Sequence, residues 1–300
     1  MSLHVSLEEE RLPSISTAVS LLIDGVAYGM ILFMISSGFT VTLGIMRIVN
    51  LAHCGFAMIG GYAALGLMTN LHLTLLEALP VAIFVTILIG VLLEKTIYRI
   101  VYRRSALGQI LMTVGLAYVM AASVNALFGS LLYNLPLPDW LNGVWNADGI
   151  SVSIYRIFLV VTSLLIGIAM WVVFDVTSFG ARLRASIDNP QMARAVGIKV
   201  DLILSTTFAA GCGLAAVGGV LGTQLLPLEP FYAIKYLVLV LMVIAVGGLG
   251  SLRGSLIAGL LLGLTDTVGR YTFPGIGGFV IYAVAVAMLL IRPRGLFARA

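Results

Sequence analysis

Over 74–93 and over 155–174 about twenty residues pass with a single charge each, and over 107–128 with none, the length that crosses the hydrocarbon of a bilayer as a helix. Lipid offers the backbone no hydrogen-bonding partner, so such a run must satisfy its own N–H and C=O groups. The rest of the sequence follows suit. Of 300 residues, 60% are apolar and only 10% charged, with a mean hydropathy of +1.10. The expectation is an all-α, polytopic helical membrane protein, the whole of 1–300 forming one transmembrane domain.

One stretch cannot be in lipid. VTSFGARLRASIDNPQMARAVGIKV, 176–200, carries Arg182, Arg184, Arg194 and Lys199 against Asp188. That many charges exclude a buried segment, and their positive excess predicts a cytoplasmic position. The stretch also has the signals of a short helix. Asp188 and Asn189 can cap it, Pro190 suits the first turn, and Gly197 can end it. Two readings are open: a basic loop that orients the protein, or a docking helix for a cytoplasmic partner. The second has in its favour Met192, Ala193, Val196 and Ile198, an apolar set with no core of its own in the loop.

Along the chain, 1–14 is polar and without the basic and apolar regions of a signal peptide, so no cleaved leader is expected. Apolar runs follow at about 16–43, 51–69, 74–93, 107–128, 155–174 and 202–225, with a final helix at about 276–291. Between the first two, Arg47, Asn50 and His53 cannot face lipid and predict a joint at 44–50. EKTIYRIVYRRS, 94–105, reads as a basic loop. Residues 129–154 contain no Lys or Arg and hold two Trp with Pro, Asn, Asp and Gly, which suits an outward loop. A shorter outer loop follows at 226–235. The run 236–246 is too short to span, and GGLGSLRGS, 247–255, has the composition of a joint in a discontinuous element, followed by a helix at about 256–269.

Lys95, Arg99, Arg103, Arg104, Arg182, Arg184, Arg194, Lys199, Arg292, Arg294 and Arg299 lie in the loops at 94–106 and 176–200 and in the tail 292–300, and they are most of the 17 basic residues. Placing these inside, in a bundle of about eight to nine transmembrane helices, gives nine crossings with the N-terminus outside and the C-terminus inside; were the first run two short segments, the N-terminus would move inside. The order helix, Gly and Arg joint, helix, short link, helix occurs at both 17–93 and 236–291, as in transporters built from repeats.

Catalytic signatures are missing. No Gly-Lys pair occurs, so there is no P-loop, and there is no HExxH, CxxC or GxSxG. Cys54 and Cys212 stand in apolar surroundings without metal or disulfide spacing. His53 reads as a hydrogen-bonding partner for unwound backbone or as a contact for a translocated solute. Asp266 and Arg270, four apart, read as a local ion pair or as a gate contact. No enzyme activity is expected.

Four stretches together carry a resemblance: VNLAHCGFAMIGGYAAL at 49–65, SIDNPQMARAVGI at 186–198, VGGLGSLRGSLIAGLLLG at 246–263 and IRPRGLF at 291–297. They are similar to the LivH-type permeases of bacterial ABC importers for branched-chain amino acids, in order and over nearly the whole chain. The resemblance implies a multi-pass permease subunit of the bacterial inner membrane, with discontinuous segments and a cytoplasmic coupling helix. It implies a second homologous permease, two cytosolic ABC ATPase subunits and an extracytoplasmic solute-binding protein as partners, besides lipid and a small solute, with no nucleic acid. No cofactor is expected in this chain; ATP and Mg would sit on the ATPases. Coupling would fall to Arg184, Asp188, Asn189, Pro190, Ala193, Arg194 and Gly197. The translocation path would involve Asn50, His53, Gly247, Gly248 and Gly250. Cys54 and Arg253 depart from the Gly and Pro usual in the family. Relatives handling urea, short amides or aromatic acids leave the solute open. A secondary carrier driven by ions or protons is the alternative, and it would need paired acidic groups at the midplane, which are scarce.

Overall fold

The computed structural model describes residues 15–45, 50–101, 104–147 and 150–297. The N-terminal segment 1–14, Arg47, Arg103 and Arg299, named above, lie outside the described residues.

The first helix, α1 (Ile15–Phe39), loosens into a π turn over Thr40–Ile45. Its last turns are rich in hydroxyls, which bond back along the helix: Ser37 Oγ donates to the Met34 carbonyl at 2.8 Å and Thr40 Oγ1 to Ser36 at 2.9 Å. Such bonds let polar side chains be buried, and they ease a helix away from strict geometry. Then come α2 (His53–Leu71) and α3 (Leu75–Leu93). The Glu77 carboxylate, the one charge in that apolar run, accepts the Thr74 N–H at 2.8 Å and so caps the helix start.

The basic stretch after α3 is not a loop as far as Val101. The helix continues through a π turn, Glu94–Tyr98, into α4 (Arg99–Val101). Glu94, Tyr98 and Val101 are buried on one face while Lys95 and Arg99 are exposed. Ser205 Oγ donates to Glu94 Oε2 at 2.9 Å, and the Tyr98 hydroxyl to Asn50 Oδ1 at 2.7 Å. These long-range bonds hold the segment helical where composition alone suggests a loop.

Next is α5 (Ala106–Phe128). The segment beyond it contains a small antiparallel hairpin, β1 (Val144–Ala147) and β2 (Ile150–Ser153), with Val144 opposite Ser153. Two backbone bonds between Tyr133 and Leu228 tie this segment to the 226–235 link. From there α6 (Ile154–Trp171) runs into a third π turn, Val172–Val176. The basic stretch 176–200 folds into an elbow of two helices, α7 (Ser178–Asp188) and α8 (Pro190–Ala195). It leads to α9 (Val200–Leu221), the one-turn α10 (Tyr232–Lys235), α11 (Leu237–Gly247), α12 (Leu252–Thr272) and α13 (Gly277–Ile291). The second joint is therefore a tighter turn than expected. Ser251 Oγ accepts the Gly254 N–H at 3.0 Å and starts α12 there, which places Arg253 in its first helical turn.

Among the described residues, 6 helices are long and apolar enough to cross a membrane; 232–247 and 277–291 form shorter apolar helices. Their packing directions form one consistent pattern. Phe33 meets Gly167 and Asp24 pairs with Arg156, so α1 and α6 run parallel. Gly25 faces Leu264 and Gly29 faces Gly259, so α1 and α12 run antiparallel. The same reasoning sets α3 against α9, through Gly90–Cys212 and Glu94–Ser205. The elements thus share two ends. The elbow end holds Lys95, Arg99, Arg104, Arg182, Arg184, Arg194, Lys199, Arg253, Arg292 and Arg294. Among the described residues the hairpin end holds Arg156, Lys235 and Arg270, each ion-paired, to Asp24, Glu229 and Asp266.

The core is made by close helix approach at small residues. A Cβ on Gly29 would lie 2.6 Å from the Gly259 carbonyl oxygen, and one on Gly60 would lie 2.6 Å from Ala216 Cα. Apolar helices in lipid gain little from the hydrophobic effect, so contact of this kind supplies the packing energy. Cys54 and Cys212 are both buried free thiols within it.

Candidate functional site

The elbow is built from its caps upward. Thr177 Oγ1 accepts the Phe179 N–H at 3.2 Å and opens α7. Leu183 and Ser186 turn inward, and Gly180 passes against the Phe174 carbonyl, where a side chain would not fit. Asp188 is the last residue of α7 and does not cap α8. Asn189 does, its Oδ1 accepting the Met192 N–H at 3.0 Å, with Pro190 in the first turn. Gly197 closes α8 with φ +84°, while Ile198 N–H reaches back to the Ala193 carbonyl at 2.9 Å. This is a left-handed helix end of the kind glycine accommodates without strain.

The residues expected to couple divide into two groups. Arg184 Nη1 donates to the Phe174 carbonyl at 2.8 Å and lies 3.9 Å from Asp175, which fastens α7 to the third π turn. Arg194 Nη2 reaches Asp201 on α9 at 3.2 Å, and Ala193 is buried beneath α8. Asp188, Asn189, Pro190 and Gly197 are exposed. Of the apolar set, Ala193 turns in and Ile198 is half-buried, but Met192 and Val196 project, 61% and 69% exposed. The outer surface of α8 is thus two apolar side chains on a basic element.

The joints lie within the bundle. Asn50 Oδ1 accepts both the Tyr98 hydroxyl and, at 3.1 Å, the Ala52 N–H; its amide nitrogen has no partner among the described residues. His53 is fully buried between Phe39, stacked at 5.6 Å, and Phe56 at 5.9 Å, with neither ring nitrogen hydrogen-bonded among those residues. Gly247 packs directly on Gly254, and Gly248 and Gly250 take φ +100° and +80° to make the turn between α11 and α12. Thr40 and Ser255 share a hydroxyl bond of 2.7 Å, which joins the π turn of α1 to the start of α12. The chain end is drawn to the same place, Leu296 N–H bonding the Val246 carbonyl at 2.8 Å.

The structure brings the elbow and the second joint together. A cavity of about 390 Å³ lies between them, with Asp175, Gly180 and Arg184 on one wall and Gly250, Ser251 and Arg253 on the other. Asn50 and His53 do not line it. Sequence reasoning misses Asp175 and Ser251. It also misses the placement of the Arg253 guanidinium over the Trp171 ring, 5.5 Å from its centroid. Asp175 is legible only as an acid beside a basic stretch; the Trp171 contact has no local signal.

The family described as "Branched-chain amino acid transport system / permease component" matches residues 21–290. The high-affinity branched-chain amino acid transport system permease protein BraD of Pseudomonas aeruginosa is 27% identical over 301 residues, covering 96% of this chain and 98% of its own. The permease protein LivH of the corresponding high-affinity system of Escherichia coli is 27% identical over 291 residues, covering 92% and 94%. Among solved structures, PsaBC from Streptococcus pneumoniae in complex with Fab aligns with a TM-score of 0.48 at 15% identity, over 91% of this chain and 89% of that one.

Proposed function

Because the chain belongs to the branched-chain amino acid transport system permease family, we propose that it is the translocating subunit of an ATP-driven importer for branched-chain or related amino acids. Its partners are a second permease of the same kind, two cytosolic ABC ATPases carrying ATP and Mg, and an extracytoplasmic solute-binding protein. The membrane is the bacterial inner membrane, with the elbow end in the cytoplasm. The observation that carries the proposal is the cavity shared by the elbow and the second joint. Force applied to α8 reaches α7 through the chain, the π turn that ends α6 through Arg184, and the start of α12 through the Trp171–Arg253 contact. The chain supplies a passage and a handle, and the ATPases supply the energy. They shift the bundle between its two openings only by binding one more tightly than the other.

Orientation is tested with Ser105→Cys, at the elbow end but away from α8. The side chain is exposed, and both native cysteines are buried. An impermeant maleimide added to intact cells should leave it unlabelled, and labelling should follow permeabilisation. Labelling from outside would invert the map. The class of transport is tested in proteoliposomes holding the assembled complex with ATP inside. Uptake of L-leucine should need both ATP and the solute-binding protein. Uptake by this chain alone, driven by an ion gradient, would instead establish the secondary carrier.

A further inference from the structure

Leu252 and Arg253 line the cavity between the elbow and the second joint, and both also line a neighbouring groove of about 210 Å³ between α6 and α12. That groove is apolar. Leu164, Gly167, Ile168 and Trp171, spaced as one face of α6, form one wall, with Leu256 of α12 and Phe33 of α1 across from them. Gly167 leaves room above Phe33: a Cβ there would stand 3.1 Å from the Phe33 ring. α6 is the least buried of the six candidate spans, and Leu164, Ile168 and Trp171 are exposed on it. Its 18 residues from Ile154 to Trp171 extend roughly 27 Å, close to the ~30 Å of a hydrocarbon layer. With Ile154 at one boundary, Trp171 stands at the other, on the elbow side, where amphipathic rings settle. The Arg253 guanidinium over its ring is then at headgroup level. The charges beside it do not cancel. Arg184 lies 3.9 Å from Asp175 and offsets it. Arg253 is exposed, and among the described residues no carboxylate pairs with it. Its contact with Trp171 is to the ring, so its N–H donors remain for the oxygens of an anion.

We propose that one anionic phospholipid of the elbow-side leaflet occupies this site, its phosphate on Arg253 and an acyl chain along α6 in the groove. Ser251, on the cavity wall, can donate its hydroxyl to the same headgroup. A soluble anion would use the guanidinium but not the apolar groove. An apolar helix of another subunit would fill the groove but leave the cation uncompensated. A lipid meets both demands, because its charge and its hydrocarbon adjoin at the depth where Arg253 and the groove adjoin. A phosphate there would hold the guanidinium at Trp171 and so fasten the start of α12 to the end of α6. The inference needs a bundle that spans a bilayer and does not depend on which solute it carries.

The test uses Trp171 as the reporter and does not rely on transport. Trp140 and Trp145, the other two tryptophans, are replaced by Phe in the full-length chain, which is reconstituted in vesicles of phosphatidylglycerol and phosphatidylcholine. The two vesicle sets have the same headgroup composition, with an equal share of either lipid brominated on its acyl chains, and bromine quenches tryptophan on contact. Brominated phosphatidylglycerol should quench Trp171 more strongly, with an apparent preference of about fivefold, as for one basic side chain at an anionic surface. Arg253→Gln should remove the preference while leaving quenching by the bulk lipid, and Arg253→Lys, which keeps the charge, should keep most of it. If Arg253→Gln does not fold, high salt on the parent chain gives the same readout, since an interfacial charge contact is screened and the preference should shrink. Equal quenching by the two lipids overturns the proposal, because ordinary contact with surrounding lipid, or a soluble anion in the cavity, would give that result. An undiminished preference in Arg253→Gln, or one indifferent to salt, overturns it as well. So does quenching by neither lipid, which would mean that another protein surface, such as a second copy of this chain, covers the groove.

Discussion

Gly197→Val should yield a protein that inserts and assembles normally yet imports on the order of tenfold more slowly, the effect of roughly 1–2 kcal/mol of left-handed strain in a non-glycine residue acting on the coupling element. Gly197 has φ +84°, and a Cβ added there would have nothing within 4 Å, so the penalty is conformational and not steric. It falls on the turn through which Ile198 bonds Ala193 and which holds Met192 and Val196 outward. Valine, branched at Cβ, tolerates that conformation poorly; asparagine tolerates it well. Gly197→Asn should therefore recover most of the lost uptake. Uptake at the parental rate in the valine variant, with expression matched, would show that α8 is not the handle.

Gly29→Leu should be more destructive, and earlier in the life of the protein. A Cβ there would meet the Gly259 carbonyl oxygen at 2.6 Å and Leu260 Cα at 2.8 Å, both backbone positions that no rotamer change can move. Overpacking of this kind ordinarily costs about 1–3 kcal/mol, and more when helices must separate. The expected result is little or no monodisperse protein in detergent and a large fall in the thermal midpoint of what remains. Gly115→Leu is the control: its Cβ would have nothing within 4 Å, and it is exposed on α5. If the two variants purify equally well and melt together, close approach of α1 and α12 is not what holds the bundle.

Legibility in the sequence depends on whether the signal is local. The long runs announce their helices, since hydrophobic length is a property of the run itself. Asn189, Pro190 and Gly197 stand in the order of a cap, a first turn and a stop, and the structure places them so around α8. Helix ends carrying charge are misleading. Lys95 and Arg99 suggest water, but Glu94 and Tyr98 on the opposite face meet Ser205 and Asn50, residues far away in the chain. Arg253 suggests an open joint because its contact with Trp171 is tertiary. The hairpin at 144–153 does have a local sign, Asp148-Gly149 between two short strand-like runs, but it is submerged among the surrounding Pro and Asn. The shared cavity of Arg184 and Gly250 cannot be read at all, because no periodicity relates positions on separate helices.

The three π turns, Thr40–Ile45, Glu94–Tyr98 and Val172–Val176, all fall at the elbow end of helices that run the same way. Each holds one residue more per turn than its helix needs. Were that residue absorbed into regular α geometry, everything beyond it would rotate by roughly 100° and shift by about 1.5 Å, at the cost of a few rearranged backbone bonds. Three such reserves on one rim give the bundle a way to twist that rim while the opposite one stays still.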